Sequence, residues 1–379
     1  MNPAEILNYF ESRVPSMLEQ IREIVELESP SCDAERNRAV TLWIENQALN
    51  IGLDLEIEKI AADGCGDHLI IRAFPSDEKC VMLLGHTDTV HPVGTKFLNK
   101  TRIEEGKFYG CGIFDMKANV VLVLETLRFF AATATRSARP ITILLSCDEE
   151  VGSSTGRGHV EREAAKSEFC LVCEPSAAGR VKTGRKGTGM FTLKAHGIPA
   201  HAGLEPEKGA SAILELSQQI ENLQALNNVE IGTTVNVCTM RGGTTTNVIP
   251  EHAECTVDVR FSTMDEAGRV ESAIRGLVPL NIGVSLEILG GVNRPPMERT
   301  DAVVALYEKA RALAASFNYD LRETQVGGAS DGNFVGALGI PLLDGLGIAG
   351  DGAHTLNEYI CIDDIPKRAT LLVSMMNEK

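Results

Sequence analysis

Residues 81–88 read VMLLGHTD, an apolar run that ends in His86 and Asp88. A short run of this kind is typical of a strand that is buried on both faces of a sheet. Two later runs have the same form, ITILLSCD at 141–148 and FCLVC at 169–173. Ligands of open α/β sheets bind outside the carboxyl ends of the strands. We therefore expect an α/β fold in which the polar residues after these runs converge at one edge of the sheet.

The residues at these strand ends are of the types that bind catalytic metals. Glu149 and Glu150 follow the second run, and Glu174 follows the third. Asp115 stands before a helical pattern that starts near residue 116, and His354 lies far downstream. Imidazole and carboxylate donors suit zinc, and a two-metal site needs a carboxylate that bridges ions about 3.5–4 Å apart. The pattern predicts a two-metal hydrolase site.

The donors divide into two sets around one bridging carboxylate. Asp115 is the candidate bridge, with His86 and Glu174 on one metal and Glu150 and His354 on the other. Each ion then has mixed nitrogen and oxygen ligands and open positions for water and substrate. We expect two Zn²⁺ ions per subunit, and Co²⁺ or Mn²⁺ also suits these donors.

Two acids remain without a metal in this assignment. Asp88, two residues after His86, is placed to accept the second ring proton of the imidazole. Glu149 should point to the other side of the backbone from Glu150, where it can take a proton from a metal-bound water and pass it to the leaving amine. Taken singly, each acid is more often a solvated loop residue or a helix cap. Their shared placement at strand ends favours the site.

The composition bounds the class of protein and its partners. The chain has 379 residues, 44% of them hydrophobic, and its 36 basic and 52 acidic residues give a net charge of −16. This charge argues against nucleic acid or an anionic membrane as a partner. Residues 1–28 lack the features of a signal peptide, and no run approaches the ~20 apolar residues of a membrane span. We expect a cytoplasmic protein with reduced cysteines, and a buried strand explains Cys170-x-x-Cys173 better than a zinc motif does.

The order of predicted elements indicates an insertion. Residues 1–182 read as helices followed by alternating strands and one long helix, and residues 293–379 resume this α/β pattern. Residues 183–292 read as β-α-β-β-α-β, the order of a ferredoxin-like α+β sandwich. We predict a catalytic α/β-sheet domain, 1–182 and 293–379, that is interrupted by a smaller domain at 183–292.

Five short motifs occur in order along the chain: GHTDTV at 85–90, YGCGIFDMK at 109–117, DEEVGS at 148–153, CEP at 173–175 and AHAG at 200–203. Together they resemble the M20 family of metallopeptidases, and within it the glutamate carboxypeptidases of the carboxypeptidase G2 type. The resemblance covers nearly the whole chain. It implies a zinc-dependent catalytic domain, an inserted lid that forms a homodimer, the metal ligands assigned above and Glu149 as general base.

The resemblance also implies substrate-binding residues on the lid. His201 resembles a histidine that reaches across the dimer to stabilise the oxyanion at the scissile carbonyl. Asn247 and Arg260 resemble residues that hold the α-carboxylate of the substrate, a task that suits the planar fork of arginine. Without the family, His201 reads as an exposed loop histidine and Arg260 as a strand residue that faces solvent.

Two further substrate contacts follow from the resemblance. Lys182 lies where the carboxypeptidase G2 type carries a lysine near the substrate, and Arg180 and Arg185 are alternatives for that contact. Gly328 lies in a turn that resembles a family loop with backbone donors beside the site.

The favoured hypothesis is a hydrolase that cleaves a peptide or N-acyl amino acid and releases a C-terminal amino acid, with glutamate as a candidate. An N-acyl-amino-acid deacylase of the acetylornithine or succinyl-diaminopimelate type shares every metal ligand and is an alternative. A non-catalytic metal-binding protein is a third reading, against which the base Glu149 argues. Aminotripeptidases are disfavoured, since they more often carry Asp at the position of Glu174.

Overall fold

The computed structural model describes residues 2–378, which divide into two compact units. The first unit extends to Gly184 and also contains Arg299–Val326 and the chain from Ser330 onward. The second unit is Arg185–Glu298 with Gly327–Ala329. It continues beyond the predicted end at residue 292, because its last strand runs to Arg294.

The chain is a mixed α/β protein. The described residues form helices α1 (Pro3–Glu26), α2 (Ala34–Leu49), α3 (Ala118–Thr133), α4 (Arg157–Ala164), α5 (Ala212–Gln224), α6 (Met264–Arg275), α7 (Asp301–Ala315), α8 (Gly332–Ala337) and α9 (Ile365–Met376). Their strands are β1 (Leu55–Ala62), β2 (Gly66–Ala73), β3 (Cys80–His86), β4 (Arg102–Glu104), β5 (Lys107–Tyr109), β6 (Ile141–Ser146), β7 (Ser167–Val172), β8 (Val181–Arg185), β9 (Gly187–His196), β10 (Thr234–Gly242), β11 (His252–Phe261), β12 (Ser285–Arg294), β13 (Glu323–Val326), β14 (Leu342–Leu343), β15 (Gly350–Asp351) and β16 (Tyr359–Cys361).

The main sheet of the first unit has the order β1-β2-β6-β3-β7-β14 among the described residues. Strands β6, β3, β7 and β14 run parallel, and β2 and β1 extend the sheet in antiparallel pairs. Every residue of β3 and β6 is buried, as their continuous apolar runs predict for strands covered on both faces. The carboxyl ends of β3, β6 and β7 therefore open at the same edge.

A smaller sheet of the first unit has the order β15-β16-β5-β4, and its strand β5 directly precedes the segment that contains Asp115. Strand β16 pairs with β5, with Tyr359 opposite Tyr109. The residue before β16, Glu358, is thereby placed beside the loop that follows β5, and its carbonyl accepts the backbone N–H of Gly110 at 3.3 Å.

The second unit has its own sheet and core. Its elements follow the order β9-α5-β10-β11-α6-β12, and the antiparallel sheet has the order β10-β11-β9-β12. Alternate residues of β11 are buried, because one face of this sheet packs against its helices while the other does not. The buried core includes Phe191, Leu216, Val257, Phe261 and Ile274.

No helix in residues 2–378 is both long enough and apolar enough to cross a bilayer.

Candidate metal centre and active site

The parallel strands of the main sheet place polar side chains at one edge. His86 is the last residue of β3 and is 1% exposed. Glu149 and Glu150 lie in the helical turn Glu149–Val151 shortly after β6. Glu174 follows the end of β7 and is buried. Since the three strands run in the same direction, their ends bring these residues to the same edge of the sheet.

Asp115 reaches the same edge from the loop between β5 and α3. Gly112 in this loop has a left-handed φ of 67°, and a Cβ atom there would lie 2.6 Å from the side chain of Thr89. The peptide bond from Asp115 to Met116 is cis. Helix α3 begins after this loop and not near Met116 as the apolar periodicity predicted, because Asp115 and Met116 have non-helical backbone angles.

The two carboxylate oxygens of Asp115 face two different donor sets. Asp115 Oδ1 lies 3.0 Å from His86 Nε2, and Glu174 Oε1 lies 3.5 Å from the same nitrogen. Asp115 Oδ2 lies 3.4 Å from His354 Nε2, which is 3.3 Å from Glu150 Oε2. Each imidazole therefore lies near the two carboxylates predicted to share its metal, but Glu150 also groups with His86 and Asp115 within 4.8 Å, so the division into two metal sites stays a prediction.

These donors fit a bound cation. Ligand atoms of His86, Asp115 and Glu150 lie within 4.8 Å of one another. The Oε1 atom of Glu150 is buried and accepts no hydrogen bond, which is costly for a carboxylate oxygen unless a cation or proton satisfies it. Nitrogen and oxygen donors of this kind are those of catalytic zinc sites.

The electrostatics of the cluster show how strongly its acids attract positive charge. Hydrogen bonds to Asp115 and Glu150 raise the pKa of His354 to about 10. Burial lowers the pKa of His86, but bonds to Asp115 and Asp88 outweigh burial and hold it well above its ordinary value. Burial opposes the charge of Asp115, yet the two imidazoles hold its pKa well below its usual range. Metal ions compete with these protons for the same nitrogen atoms.

Asp88 connects His86 to the turn that carries Glu149 and Glu150. Its backbone carbonyl lies 3.0 Å from His86 Nδ1, whereas its carboxylate, predicted to accept the ring proton, lies further away at 3.4 Å. The carboxylate instead accepts the backbone N–H groups of Glu149 and Glu150, both at 3.2 Å, and the Ser31 hydroxyl at 2.6 Å. Asp88 therefore holds both the ring and the neighbouring turn.

Glu149, the predicted base, lies beside the donor set of one metal. The residue is 7% exposed, and ligand atoms of Glu149, His86 and Glu174 lie within 4.8 Å of one another. A side chain at this distance can exchange a proton with a group held between these residues, and it is also close enough to act as a ligand itself.

Glu358 is a supporting residue of the site that the sequence analysis missed. Its fully buried carboxylate accepts the backbone N–H groups of Gly112 and Phe114 at 2.8 Å and of Asp115 at 2.9 Å. It also accepts a hydrogen bond from His91 Nε2 at 2.8 Å. A single acid before a short apolar strand resembles a surface residue in sequence, so its spacing of four residues after His354 was the only available signal.

His201 and Asn247 lie on adjoining segments of the second unit. His201 pairs with Val248 in an isolated bridge, and Ala202 donates its N–H to the carbonyl of Asn247 at 2.9 Å. The Nδ1 atom of the exposed His201 ring accepts the N–H of Gly203 at 3.1 Å. In the neutral ring the proton then resides on Nε2, which can donate.

Arg260 lies on β11 and forms a bidentate ion pair within its own strand. Its Nε and Nη2 atoms donate to the carboxylate of Asp258, two residues earlier, at 2.9 and 2.8 Å. Residues two apart on a strand share a face, which explains the pair. A guanidinium has five N–H donors, so one carboxylate does not exhaust them.

The remaining substrate candidates have different surroundings. Lys182 is buried on β8, and its backbone pairs with that of Asp344. Arg180 is exposed. Arg185 donates to the carbonyl of Gly328 at 3.3 Å, so the backbone of the Gly328 turn supplies an acceptor to this arginine.

A mixed α/β fold with histidine and carboxylate side chains at its strand ends is typical of a metal-dependent hydrolase. The model of peptidase family M20/M25/M40 matches residues 82–378, which include all the predicted metal ligands. The chain belongs to this family, and the predictions of the family and of an enzyme are confirmed.

Two named relatives illustrate the range of the family. Carboxypeptidase G2 from Pseudomonas sp. is 27% identical over 363 residues, which cover 93% of this chain and 87% of that protein. Succinyl-diaminopimelate desuccinylase from Delftia acidovorans is 26% identical over 311 residues, covering 76% and 79%.

Solved structures show the same fold at lower identity. Aminopeptidase PepT from Bacillus cereus has a TM-score of 0.78 and 22% identity, with coverage of 96% of this chain and 98% of that chain. An M20 family metallo-carboxypeptidase from Sulfolobus solfataricus has a TM-score of 0.75 and 17% identity, with coverage of 95% and 98%.

Proposed function

We propose that this protein is a di-zinc hydrolase that cleaves an amide bond and releases a C-terminal amino acid, with glutamate as the first candidate. The observation that carries the proposal is the placement of Asp115 between His86 and His354, one carboxylate oxygen toward each. A carboxylate shared between two donor sets is the arrangement required for a pair of metals.

The donor sets define where the ions would bind. His86 and Glu174 would hold one and Glu150 and His354 the other, with Asp115 shared between them, and Co²⁺ or Mn²⁺ suits the same atoms. When bound, such a pair polarises a carbonyl and lowers the pKa of water toward 7. The residues of the chain then have to orient the substrate and move one proton.

Glu149 is the proposed base for that proton. It takes the proton of the attacking water and later passes it to the nitrogen of the leaving amine, so that one carboxylate serves both halves of the reaction. The bond from its backbone N–H to Asp88 supports this role, since it fixes the turn beside His86.

The second unit is proposed to act as a lid that contributes substrate contacts in a homodimer. Strand β10 is at one end of its sheet and its residues from Thr239 to Gly242 are exposed, so a second copy can pair with this edge. The Nε2 proton of His201 would stabilise the oxyanion. Arg260 and Asn247 would hold the α-carboxylate of the substrate. Lys182 and the Gly328 turn would contact the rest of the substrate.

The substitution Glu149→Gln tests the assignment directly. We expect kcat for an N-acyl glutamate to fall by about a hundredfold to ten-thousandfold, while two zinc ions per subunit are retained by elemental analysis. Glu230→Gln removes an exposed carboxylate of the second unit and is the matched control. Loss of metal from Glu149→Gln would identify Glu149 as a ligand, and unchanged hydrolysis would exclude it as the base.

A second candidate is an N-acyl-amino-acid deacylase, because the chain is also similar to succinyl-diaminopimelate desuccinylase, at 26% identity. The match to carboxypeptidase G2 covers more of this chain, 93% against 76%, and favours the first candidate. Rates on succinyl-diaminopimelate, acetylornithine and folate-like N-acyl glutamates distinguish them. A zinc-loaded protein that turns over none of these would support the non-catalytic reading.

A further inference from the structure

Two thiols outside the metal centre face each other across two turns. The Sγ atoms of Cys32 and Cys65 lie 3.9 Å apart, and both cysteines are reduced. Cys32 stands in the turn before α2, and Cys65 stands in the turn between β1 and β2. A disulfide requires a separation of about 2.05 Å, so a displacement of roughly 2 Å would allow the bond.

The two thiols differ in exposure in the way that an attacking and a resolving cysteine differ. Cys32 is exposed, whereas Cys65 is 7% exposed and packs with Ala62 and Cys147. Burial, together with its contact to Cys32, raises the pKa of Cys65 to about 11. An oxidant in solution therefore meets Cys32 first, and Cys65 is protected until Cys32 has reacted.

The pair is connected to the candidate site by one residue. Ser31 precedes Cys32 and donates its hydroxyl to Asp88 at 2.6 Å. The carboxylate of Asp88 also holds the backbone of Glu149 and Glu150. A movement of Cys32 toward Cys65 therefore acts on the segment that supports Asp88.

We propose that Cys32 and Cys65 form a reversible disulfide site that responds to small disulfides such as oxidised glutathione. The thiolate of Cys32 attacks one sulfur of the oxidant, breaks its S–S bond and releases one glutathione. The thiolate of Cys65 then attacks Cys32 in the mixed disulfide and releases the second glutathione. The protein loses two thiol protons and two electrons, which the two released glutathione molecules carry.

The test is a peptide map of the full chain after treatment with oxidised glutathione, alkylation and digestion without reduction. We expect a peptide pair joined through Cys32 and Cys65, which disappears after dithiothreitol. Cys65→Ala should retain glutathione on Cys32, and Cys32→Ser should leave Cys65 reduced. Cys238→Ser, which removes an exposed thiol of the second unit, is the control and should retain the cross-link.

Failure of the cross-link to form while Cys238 becomes glutathionylated would overturn the proposal, as would a bond between Cys65 and Cys147.

The effect of the disulfide on the candidate site is measured by the rate of hydrolysis of an N-acyl glutamate. We expect this rate to fall severalfold when the wild type is oxidised and to be unaffected by oxidation in Cys32→Ser. This readout rests on the proposed function, whereas the peptide map does not. An unchanged rate of hydrolysis in a cross-linked, active enzyme would overturn the proposed effect of the disulfide on the site.

Discussion

The metal donors proposed on the first unit and the substrate residues proposed on the second unit are held in different ways. His86 ends a fully buried strand, and its ring contacts Asp115 and the backbone of Asp88. His201 lies in an exposed turn, and Arg260 is paired with Asp258 on its own strand. The end of a rigid strand can hold a metal-binding side chain in place before the metal binds, whereas an exposed side chain can exchange one partner for another. The difference predicts that metal binding depends on the first unit alone and that catalysis also needs the second.

The largest effect should come from the shared carboxylate. Asp115→Asn removes the charge that both donor sets use, so we expect metal affinity to fall by more than the 10–100-fold typical of supporting residues, with hydrolysis lost in proportion. Competitive chelation measures the affinity. Asp63→Asn, an exposed position in the same unit, is the control and should bind metal normally. Normal zinc binding by Asp115→Asn would rule out the bridge.

His201 tests whether one site needs two subunits. His201→Ala should lower kcat by about a hundredfold or more, as loss of an oxyanion donor does, without changing zinc content. Mixing it with Glu149→Gln should restore roughly a quarter of wild-type activity, since random pairing of protomers regenerates one complete site in each mixed dimer. No recovery after verified subunit exchange would place His201 and Glu149 in the same subunit's site.

Glu358 should have a smaller effect, because it acts on Asp115 only through the backbone. Glu358→Ala leaves the N–H groups of Gly112, Phe114 and Asp115 without their acceptor, and we expect zinc affinity to fall by about 10–100-fold. The visible spectrum of the Co²⁺-loaded protein should shift as the coordination changes. Glu358→Gln keeps one acceptor oxygen and should recover part of the affinity, whereas equal spectra for all three proteins would contradict the positioning role.

The smallest effect should be a pH dependence of stability from His91. Burial lowers its pKa, but bonds to Cys111 and Glu358 outweigh burial and raise the pKa to about 9 from 6.5. The protonated ring is therefore favoured in the folded state, and its contribution is present in full below pH 6.5 and lost as pH rises through 9. The difference in unfolding free energy between wild type and His91→Gln should shrink over this interval. A difference that stays constant from pH 6.5 to 9 would contradict the prediction.

The sequence analysis predicted the buried strands and the donor residues because each is visible locally. An apolar run such as 81–85 can only be a buried element, and a polar residue directly after it has to lie at the end of that element. The start of α3 was predicted too early, since the apolar pattern gives no sign that the backbone around Asp115 is held by a distant carboxylate.

The sequence by itself determined the family and the strand ends and predicted which residues would hold metal, since these depend on short motifs in a known order. Only the tertiary structure decided that Glu358 organises the loop of Asp115, that the Asp88 carboxylate holds the Glu149 turn, and that Cys32 faces Cys65. The reason is physical: each of these contacts joins residues that are far apart along the chain. Their partners become neighbours only when the sheet has assembled, and no local pattern of residue types records that.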